Sequence, residues 1–285
     1  MMEILRQFSP DFSHVEEAPI STEGKTIGWH STFLSKDGIA LGGGCGSTLD
    51  LSRRIAVAEI IERSTFQKLM SQDKTSFLLD EFPTSCGFAA GFESEPTKLR
   101  AISESLERWA LSKWIDDKLK LEPIHNSSAQ LGEIGFFFAK QFDELNMYAK
   151  TFALSSGEIS IPIQFGAVVG FKNGGAFLGS RACSTKENPW DHALTEAWRH
   201  TVIAKSVPSE KEINKKYKDR VRFFASNALA ARTAINEAHF ESNWPVPRLR
   251  LLKQVPSLPD GIFVWRALCH DYKGWHLGDE TRFVY

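Results

Sequence analysis

The chain has 285 residues, of which 42% are hydrophobic, so it can form one large soluble domain or two small ones. Its 34 basic and 35 acidic residues leave a formal net charge of −1, which excludes an overall electrostatic field that would hold nucleic acid or an anionic membrane. No stretch approaches the ~20 apolar residues that a membrane helix needs, so no membrane partner is expected.

The N-terminal part of the chain carries strand and helix signals separated by turn residues. A strand-like segment at residues 27–34 precedes a glycine-rich loop and helix start at 40–54. Residues 75–82 are then predicted as a strand and 83–97 as a loop. A long helix is predicted over 98–119, because its apolar residues follow the three-to-four spacing of a buried stripe.

The C-terminal part adds alternating strands and further helices. Residues 150–171 and 177–182 are predicted strands, joined by a hairpin turn at 172–176. A helix is predicted over 188–206, with Asn188 as its N-cap. Two more helices and a late strand are predicted at 210–224, 227–240 and 261–270.

Strands and helices are therefore mixed along the chain, with hairpin signals and no low-complexity linker. This pattern favours an α+β fold with mixed, largely antiparallel sheets over a doubly wound parallel sheet. We predict a single domain over residues 1–285, in which helices pack on the sheets and loop–helix units are repeated.

Two helical segments share a Glu-x-x-Glu-Arg core, and the repeat extends beyond this core. The first glutamate of each core follows a glycine by thirteen positions, and a third copy has a cysteine in place of the glycine. The three pairs are Gly46 and Glu59, Gly91 and Glu104, and Cys183 and Glu196. The equal offsets predict three loop–helix units with a glutamate at a similar depth in each helix.

An ordinary helix surface is the alternative interpretation, since Glu and Arg at i, i+4 form common ion pairs worth roughly 0.3 kcal/mol. The first copy does not fit an exposed helix surface, because apolar residues surround Glu59 at positions 55–58, 60 and 61. A helix that is apolar nearly all round is buried, and a buried carboxylate needs a partner charge or a metal. The second copy is also compatible with a solvated surface.

Glutamates at i and i+3 point the same way, so two facing helices would direct four carboxylates towards one cavity. These four are Glu59, Glu62, Glu104 and Glu107. Four carboxylates do not stay ionised together without cations, and oxygen ligands without His or Cys suit Mg²⁺. We therefore predict a Mg²⁺ site, with Arg63, Arg108 and Arg199 as phosphate contacts.

Standard nucleotide and hydrolase motifs are absent from the sequence. The glycine-rich segment has no lysine before Ser47 and is not a Walker A loop, and neither GxGxxG nor GxSxG is present. Cys86 has no recognisable histidine partner and is predicted to be structural. The four cysteines form no CxxC pair and the N-terminus lacks a secretory signal, which predicts reduced thiols in a cytoplasmic protein.

Three segments, 42–63, 84–114 and 179–198, resemble the YcaO superfamily in that family's order. The resemblance spans residues 40–200, and the segment 261–268 resembles the family's late strand. It implies an enzyme that uses ATP and Mg²⁺ to phosphorylate the oxygen of a peptide backbone amide, so that a nucleophile can replace it. A neighbouring Cys, Ser or Thr gives an azoline, and an external sulfur donor gives a thioamide.

The resemblance also implies roles for individual residues. Glu59, Glu104 and Glu107 match the family's metal-binding carboxylates, with Glu62 as their neighbour in the first copy. Ser85 falls where the family's loop touches the nucleotide. Arg63 and Arg108, predicted above as phosphate contacts, are expected to bind the nucleotide together with Ser85.

The third motif supplies the predicted catalytic residues. Glu196 matches the family's third acidic position, and Arg199 is expected to act beside it. The family has an arginine at the fourth residue after this glutamate, whereas here Arg199 is the third and His200 the fourth. The first motif also departs from the family, because Ile55 replaces a serine four residues before Glu59.

Partners and rival functions follow from these features. The resemblance implies a peptide or protein substrate and a separate partner protein that delivers the peptide or donates sulfur, and it leaves a homodimer open.

One alternative function is that of a YcaO-like pseudoenzyme, which binds nucleotide or peptide without turnover. Ile55 and the altered third motif point to this alternative. Another is a carboxylate-bridged metal oxidase, whose paired helices ordinarily carry Glu-x-x-His.

Overall fold

A computed structural model describes residues 2–124, 131–156, 159–206, 215–238 and 243–284. The chain divides into two compact units. The first comprises Met1–Ile102 and Leu251–Leu268, and the second comprises Ser103–Arg250 and Cys269–Tyr285. The single domain over residues 1–285 stays a prediction. Within the described ranges, no helix is both long and apolar enough to cross a membrane.

The first unit contains two three-stranded sheets and the N-terminal helices. Its helices and strands are α1 (Met2–Phe8), β1 (Phe12–Thr22), β2 (Lys25–Ser35), β3 (Ala40–Gly46), α2 (Leu49–Gln72), β4 (Phe88–Gly91), the start of α3 (Ser94–Ile115), most of β9 (Leu249–Gln254) and most of β10 (Phe263–Cys269). The strand orders are β1-β2-β3 and β4-β10-β9, so β3 and β4 are edge strands. The core of the unit includes Phe33, Ile61, Phe77 and Phe88.

The glycine-rich segment that was predicted as a loop is strand β3. A Cβ atom at Gly42 would lie 2.6 Å from the backbone oxygen of Ala56 and 2.7 Å from Cγ1 of Ile60, both on α2. Only a residue without a side chain allows this close approach of a strand to a helix. The predicted helix start is confirmed, and Thr48 caps it by accepting a hydrogen bond from the Leu51 amide at 3.2 Å.

Two other predicted elements differ from the structure. Residues 75–82 are not a strand: a 3-10 turn at Thr75–Phe77 ends at Leu78, whose φ of 52° is left-handed. The apolar side chains of these turns are buried in the core. A short buried apolar segment of this kind has the same sequence pattern as a buried strand. The long helix is α3, which begins at Ser94 and not at residue 98, because Pro96 is tolerated in its first turn.

Among its described residues, the second unit contains a four-stranded antiparallel sheet and four further helices. Its strands are β5 (Glu122–Pro123), β6 (Glu144–Ser156), β7 (Ile159–Lys172) and β8 (Gly175–Ser184), in the order β5-β6-β7-β8, and its helices are α4 (Glu133–Ala139), α5 (Trp190–Lys205), α6 (Lys215–Phe224) and α7 (Ala228–Asn236). The predicted hairpin is confirmed, with Asn173 and Gly174 at φ values of 49° and 79° between β7 and β8. Strand β8 forms a sheet edge.

The predicted helices of this unit are present with shifted ends. Helix α5 begins at Trp190, and the Asn188 side chain accepts a hydrogen bond from the Trp190 amide at 2.9 Å. Residues 210–214 and 239–240, which belonged to two predicted helices, lie outside the described residues. The helices and antiparallel strand pairs confirm the predicted α+β class.

The C-terminal segment 273–284 of this unit is fixed by two buried arginines. Arg220 of α6 donates hydrogen bonds to the backbone oxygens of Asp279, Leu277, Val284 and Trp275. Arg282 forms a bidentate ion pair with Asp116, at 2.8 and 2.5 Å. Burial lowers the pKa of Arg220 to about 10, and the side chain therefore remains charged at neutral pH.

Candidate active site

The thirteen-residue repeat corresponds to three strand–helix units. Gly46 and Gly91 are the last residues of β3 and β4, and Cys183 is the last but one of β8. All three strands lie at sheet edges, and each is followed by a helix that carries one of the predicted glutamates. The first member of each unit is thus a strand; loops were predicted at β3 and β4, whereas most of β8 was predicted as a strand.

Glu59 of α2 is held by the strand that precedes it. Its Oε2 accepts a hydrogen bond from the Gly43 amide at 2.6 Å, and its Oε1 forms an ion pair with Nη2 of Arg63 at 2.5 Å. Arg63 also donates to the backbone oxygen of Leu41 at 3.0 Å. The side chain of Glu59 is 24% exposed, so the predicted burial is only partial. Glu62 lies one turn further along α2 and is also partly exposed.

The third copy repeats this arrangement in the second unit. The amide of Ser180 on β8 donates to Oε2 of Glu196 at 2.8 Å, and the separation of sixteen residues equals that between Gly43 and Glu59. The packing is also repeated. A Cβ atom at Gly179 would overlap the backbone of α5, as one at Gly42 would overlap that of α2. The two units therefore share both a packing glycine and an amide that binds the glutamate.

Glu107 of α3 is bound to the same edge strand. It belongs to the second unit, is 3% exposed, and accepts hydrogen bonds from Oγ of Ser180 at 2.9 Å and from the Ala182 amide at 3.1 Å. Nη2 of Arg108 lies 3.7 Å from its Oε1. Burial raises the pKa of the Glu107 carboxyl, Arg108 opposes this shift, and the nearby negative charge of Glu196 adds to it. Ser180 therefore contacts two of the predicted functional carboxylates.

The residues that follow Glu196 have different surroundings. Arg199 is exposed. His200 is buried, and its Nδ1 lies 2.6 Å from the backbone oxygen of Leu178 while its Nε2 lies 2.7 Å from the Tyr217 hydroxyl. Because a carbonyl oxygen only accepts, Nδ1 carries the proton and Nε2 accepts. Burial lowers the pKa of His200 to about 3, so this side chain is neutral at physiological pH.

The remaining predicted site residues lie in or beside the repeated units. Ser85 lies in the loop before β4, where its backbone oxygen accepts a hydrogen bond from the Phe88 amide at 3.0 Å. Glu104 is partly exposed on α3, one turn before Glu107. Glu59 and Glu62 belong to the first unit, whereas Glu104 and Glu107 belong to the second, and their convergence on one cavity stays a prediction.

The structure thus brings Glu59 together with Arg63, and Glu107 together with Arg108 and Glu196. In the part of the chain that the structure describes, no three His, Cys, Asp or Glu side chains gather into a complete metal cage. A site made of protein ligands alone is therefore not preformed among these residues. Mg²⁺ does not require one, since it usually combines one or two carboxylates with waters and substrate phosphates.

Solved structures share the architecture of this chain. The structure of YcaO from Methanopyrus kandleri, bound with AMPPCP and Mg²⁺, matches with a TM-score of 0.57 and 13% identity over 99% of this chain and 90% of that one. This chain has a YcaO-like fold. In the E. coli microcin synthetase McbBCD complex with pro-MccB17 bound, the TM-score is 0.60 at 10% identity, over 89% of this chain and 86% of that one.

A third structure with a YcaO-like fold is a heterocyclase in complex with substrate and cofactor. It matches with a TM-score of 0.56 and 12% identity over 96% of this chain, which spans about half of that protein, 52%. The sequence matches no protein-family model and no curated protein. At identities this low the structural matches establish the fold alone, and at the level of the fold they confirm the resemblance to the YcaO superfamily.

Two residues beside the predicted carboxylates, Ser180 and Arg181, were not predicted from the sequence. Ser180 binds Glu107 and Glu196, and the positive charge of Arg181 opposes the rise in the pKa of Glu107 that burial causes. A signal was available for Ser180, because its sixteen-residue distance from Glu196 equals that of Gly43 from Glu59. Its hydroxyl contact with Glu107 is 73 residues apart in sequence, and no local pattern indicates it.

Proposed function

We propose that this chain is an ATP- and Mg²⁺-dependent enzyme that modifies a backbone amide of a peptide or protein. The observation that carries the proposal is the repeated unit, in which an edge strand binds the glutamate of its following helix, as at Glu59 and Glu196. The YcaO-like fold supports it, since the Methanopyrus protein with this fold was solved with AMPPCP and Mg²⁺.

The proposed metal ligands are carboxylates in both units. Glu59 and Glu62 serve in the first unit, and Glu104 and Glu107 in the second. Carboxylate pairs without a complete protein cage fit Mg²⁺ that is shared with nucleotide phosphates. When bound, Mg²⁺ neutralises the negative charge on the phosphoryl oxygens.

Other side chains are assigned to nucleotide and reaction chemistry. Ser85, Arg63 and Arg108 are the proposed nucleotide contacts, and the charge of Arg108 also opposes the rise in the pKa of Glu107 that burial causes. Glu196 and Arg199 are the proposed catalytic residues. Arg199 is exposed on α5, three residues after Glu196, and we assign it a contact with a phosphoryl group.

The proposed reaction has two displacements. The amide oxygen attacks the γ-phosphorus of ATP, and ADP leaves, so the amide carbon now carries a phosphate leaving group. A nucleophile then attacks this carbon, and the oxygen departs with inorganic phosphate. An internal Cys, Ser or Thr side chain gives an azoline, and a sulfur donor gives a thioamide. A separate partner protein for peptide delivery or sulfur donation is part of the proposal, as is a cytoplasmic location.

The test measures Mg²⁺–AMPPCP binding and Mg²⁺–ATP turnover in the wild type and in Glu104→Gln. We expect binding by the wild type and an affinity more than about 10-fold weaker in Glu104→Gln, because even outer partners of metal ligands contribute 10–100-fold. Glu95→Gln is the control, since Glu95 is an exposed residue of the same helix that pairs with Lys98.

Three results would count against the proposal. No nucleotide binding by the wild type contradicts the proposal. An equal loss in Glu95→Gln would show that the effect is not specific to the predicted ligand. Iron that stays bound through purification, with Glu104→Gln releasing it, would instead favour a carboxylate-bridged oxidase.

A YcaO-like pseudoenzyme is the second candidate, and two positions favour it. Ile55 is a 38% exposed apolar side chain on α2, one turn before Glu59, where the family has a serine. His200 is buried and neutral where the family has an arginine. Nucleotide binding without turnover, with a peptide and a partner protein supplied, would decide for the pseudoenzyme.

A further inference from the structure

We propose that Ser180 is a positioning residue that fixes the carboxylates of Glu107 and Glu196 relative to each other. This inference rests on the proposed function, in which both glutamates serve the metal and the reaction. Ser180 itself touches neither nucleotide nor substrate in this proposal. It acts through the two carboxylates that it binds.

The geometry of strand β8 carries the inference. Ser180 donates from its amide to Glu196 at 2.8 Å and from its hydroxyl to Glu107 at 2.9 Å. The Ala182 amide donates to the second oxygen of Glu107 at 3.1 Å. The amides of Ser180 and Ala182 both point away from β7, because alternate residues of an edge strand face the same way. One short stretch of strand thus orients carboxylates from two different helices.

The two carboxylates repel each other, and fixed donors are what hold them in place. The negative charge of Glu196 acts on Glu107, whose side chain is almost fully buried. Without the Ser180 hydroxyl, Oε1 of Glu107 would lose its hydrogen bond from β8 and keep the longer contact with Arg108 at 3.7 Å. A carboxylate held on one oxygen can turn about its terminal bond. The hydroxyl of Ser180 therefore restricts a rotation of the Glu107 carboxylate that the Ala182 amide alone would allow.

The first copy of the repeat has the amide contact without the hydroxyl contact, so the two contacts are independent. Gly43 is equivalent to Ser180, since its amide binds Glu59 over the same sixteen residues. Gly43 has no side chain, and Arg63 supplies the second contact of Glu59. The amide contact is common to both units, whereas the hydroxyl contact occurs on β8. Removing the hydroxyl leaves the common contact in place.

Substitution of Ser180 tests the inference against a matched residue. Ser112 is the control, because it is equally buried in the same unit, at 2% exposed against 1% for Ser180, and also makes two hydrogen bonds, to Asp116 and Lys273. Ser112 contacts neither glutamate in these bonds. The variants are Ser180→Ala, Ser180→Thr, which keeps the hydroxyl, and Ser112→Ala.

The first measurement is Mg²⁺–AMPPCP affinity by calorimetry, alongside urea unfolding. We expect Ser180→Ala to weaken binding by roughly 10- to 100-fold, the range for partners that orient metal ligands. Ser112→Ala should bind as the wild type despite a similar loss of stability, and Ser180→Thr should recover affinity. Wild-type affinity in Ser180→Ala, or an equal loss in Ser112→Ala, would overturn the inference.

The second measurement needs no nucleotide. Hydrogen exchange at the Ala182 amide, which binds Glu107, should be faster in Ser180→Ala than in the wild type, and restored in Ser180→Thr. Unchanged exchange would overturn the positioning role. If the wild type binds no nucleotide, the proposed function fails, and the exchange rates alone decide whether Ser180 positions the two glutamates.

Discussion

Glu59 and Glu196 each accept a hydrogen bond from a backbone amide sixteen residues earlier, yet their other partners differ. Glu59 pairs with Arg63 on its own helix, while Glu196 lies near a second carboxylate, Glu107. The glutamates themselves were predictable from their spacing. Their partners were not, because the contact of Ser180 with Glu107 depends on two segments that meet only in the folded chain.

His200 leads to a prediction about pH. Burial lowers its pKa to about 3 in the folded protein, against about 6.5 when it is exposed in the unfolded chain. The unfolded state therefore binds the proton more readily, and the stability from neutral His200 is complete above pH ~6.5 and is lost as the pH falls towards 3. From pH 7.5 to 5.0 the loss is about 2 kcal/mol.

Urea unfolding at these two pH values measures this loss. In His200→Gln, whose side chain does not titrate, the pH-dependent loss should be smaller than in the wild type by about 2 kcal/mol. Subtracting the loss in His200→Gln from that in the wild type removes the contribution of other titrating groups, such as His276, because both proteins contain them. If both proteins lose the same free energy between pH 7.5 and 5.0, His200 is not held neutral by its burial.

At the scale of elements, the repeated unit is an edge strand packed closely on the helix that follows it. The thirteen-residue offset predicted the repeat, but the glycines of β3 were assigned to a loop. Glycine suits a flexible turn and a tight strand–helix contact equally well, and a sequence does not separate the two. The prediction of a strand at residues 75–82 was wrong for a related reason, since buried apolar turns and buried strands have similar compositions.

The packing of β3 on α2 predicts that alanine substitutions at two adjacent glycines differ in their effect on stability. Gly42→Ala should destabilise the protein by about 1–3 kcal/mol, because its Cβ would lie 2.6 Å from the backbone oxygen of Ala56. Gly43→Ala should be nearly neutral, since its nearest contact would be 3.7 Å, to the backbone oxygen of Ser31, and its amide still reaches Glu59. Urea unfolding of both variants gives the difference, and equal free energies would contradict the close packing.

At the scale of the whole chain, hydrophobic periodicity and turn residues were sufficient to predict the α+β class, the hairpin between β7 and β8 and the long helices. These depend on local patterns of residues. The role of the C-terminal segment could not be predicted in this way, because Arg220 binds backbone oxygens 55 to 64 residues away. Any residue has a backbone oxygen, so no side-chain pattern indicates such contacts.

The buried Arg220 gives a prediction about the second unit. Arg220→Met should lower the free energy of unfolding by more than about 3 kcal/mol, because it leaves buried backbone oxygens of residues 275–284 without their donor, at about 1–3 kcal/mol each. It should also speed proteolysis of the C-terminal segment. Lys215→Met is the control, since Lys215 lies on the same helix in an exposed ion pair with Asp219 that is worth less than about 1 kcal/mol. Because Met fills most of the volume of the arginine stem, a loss in Arg220→Met no larger than that in Lys215→Met would mean that packing, and not the hydrogen bonds of the guanidinium, holds the segment.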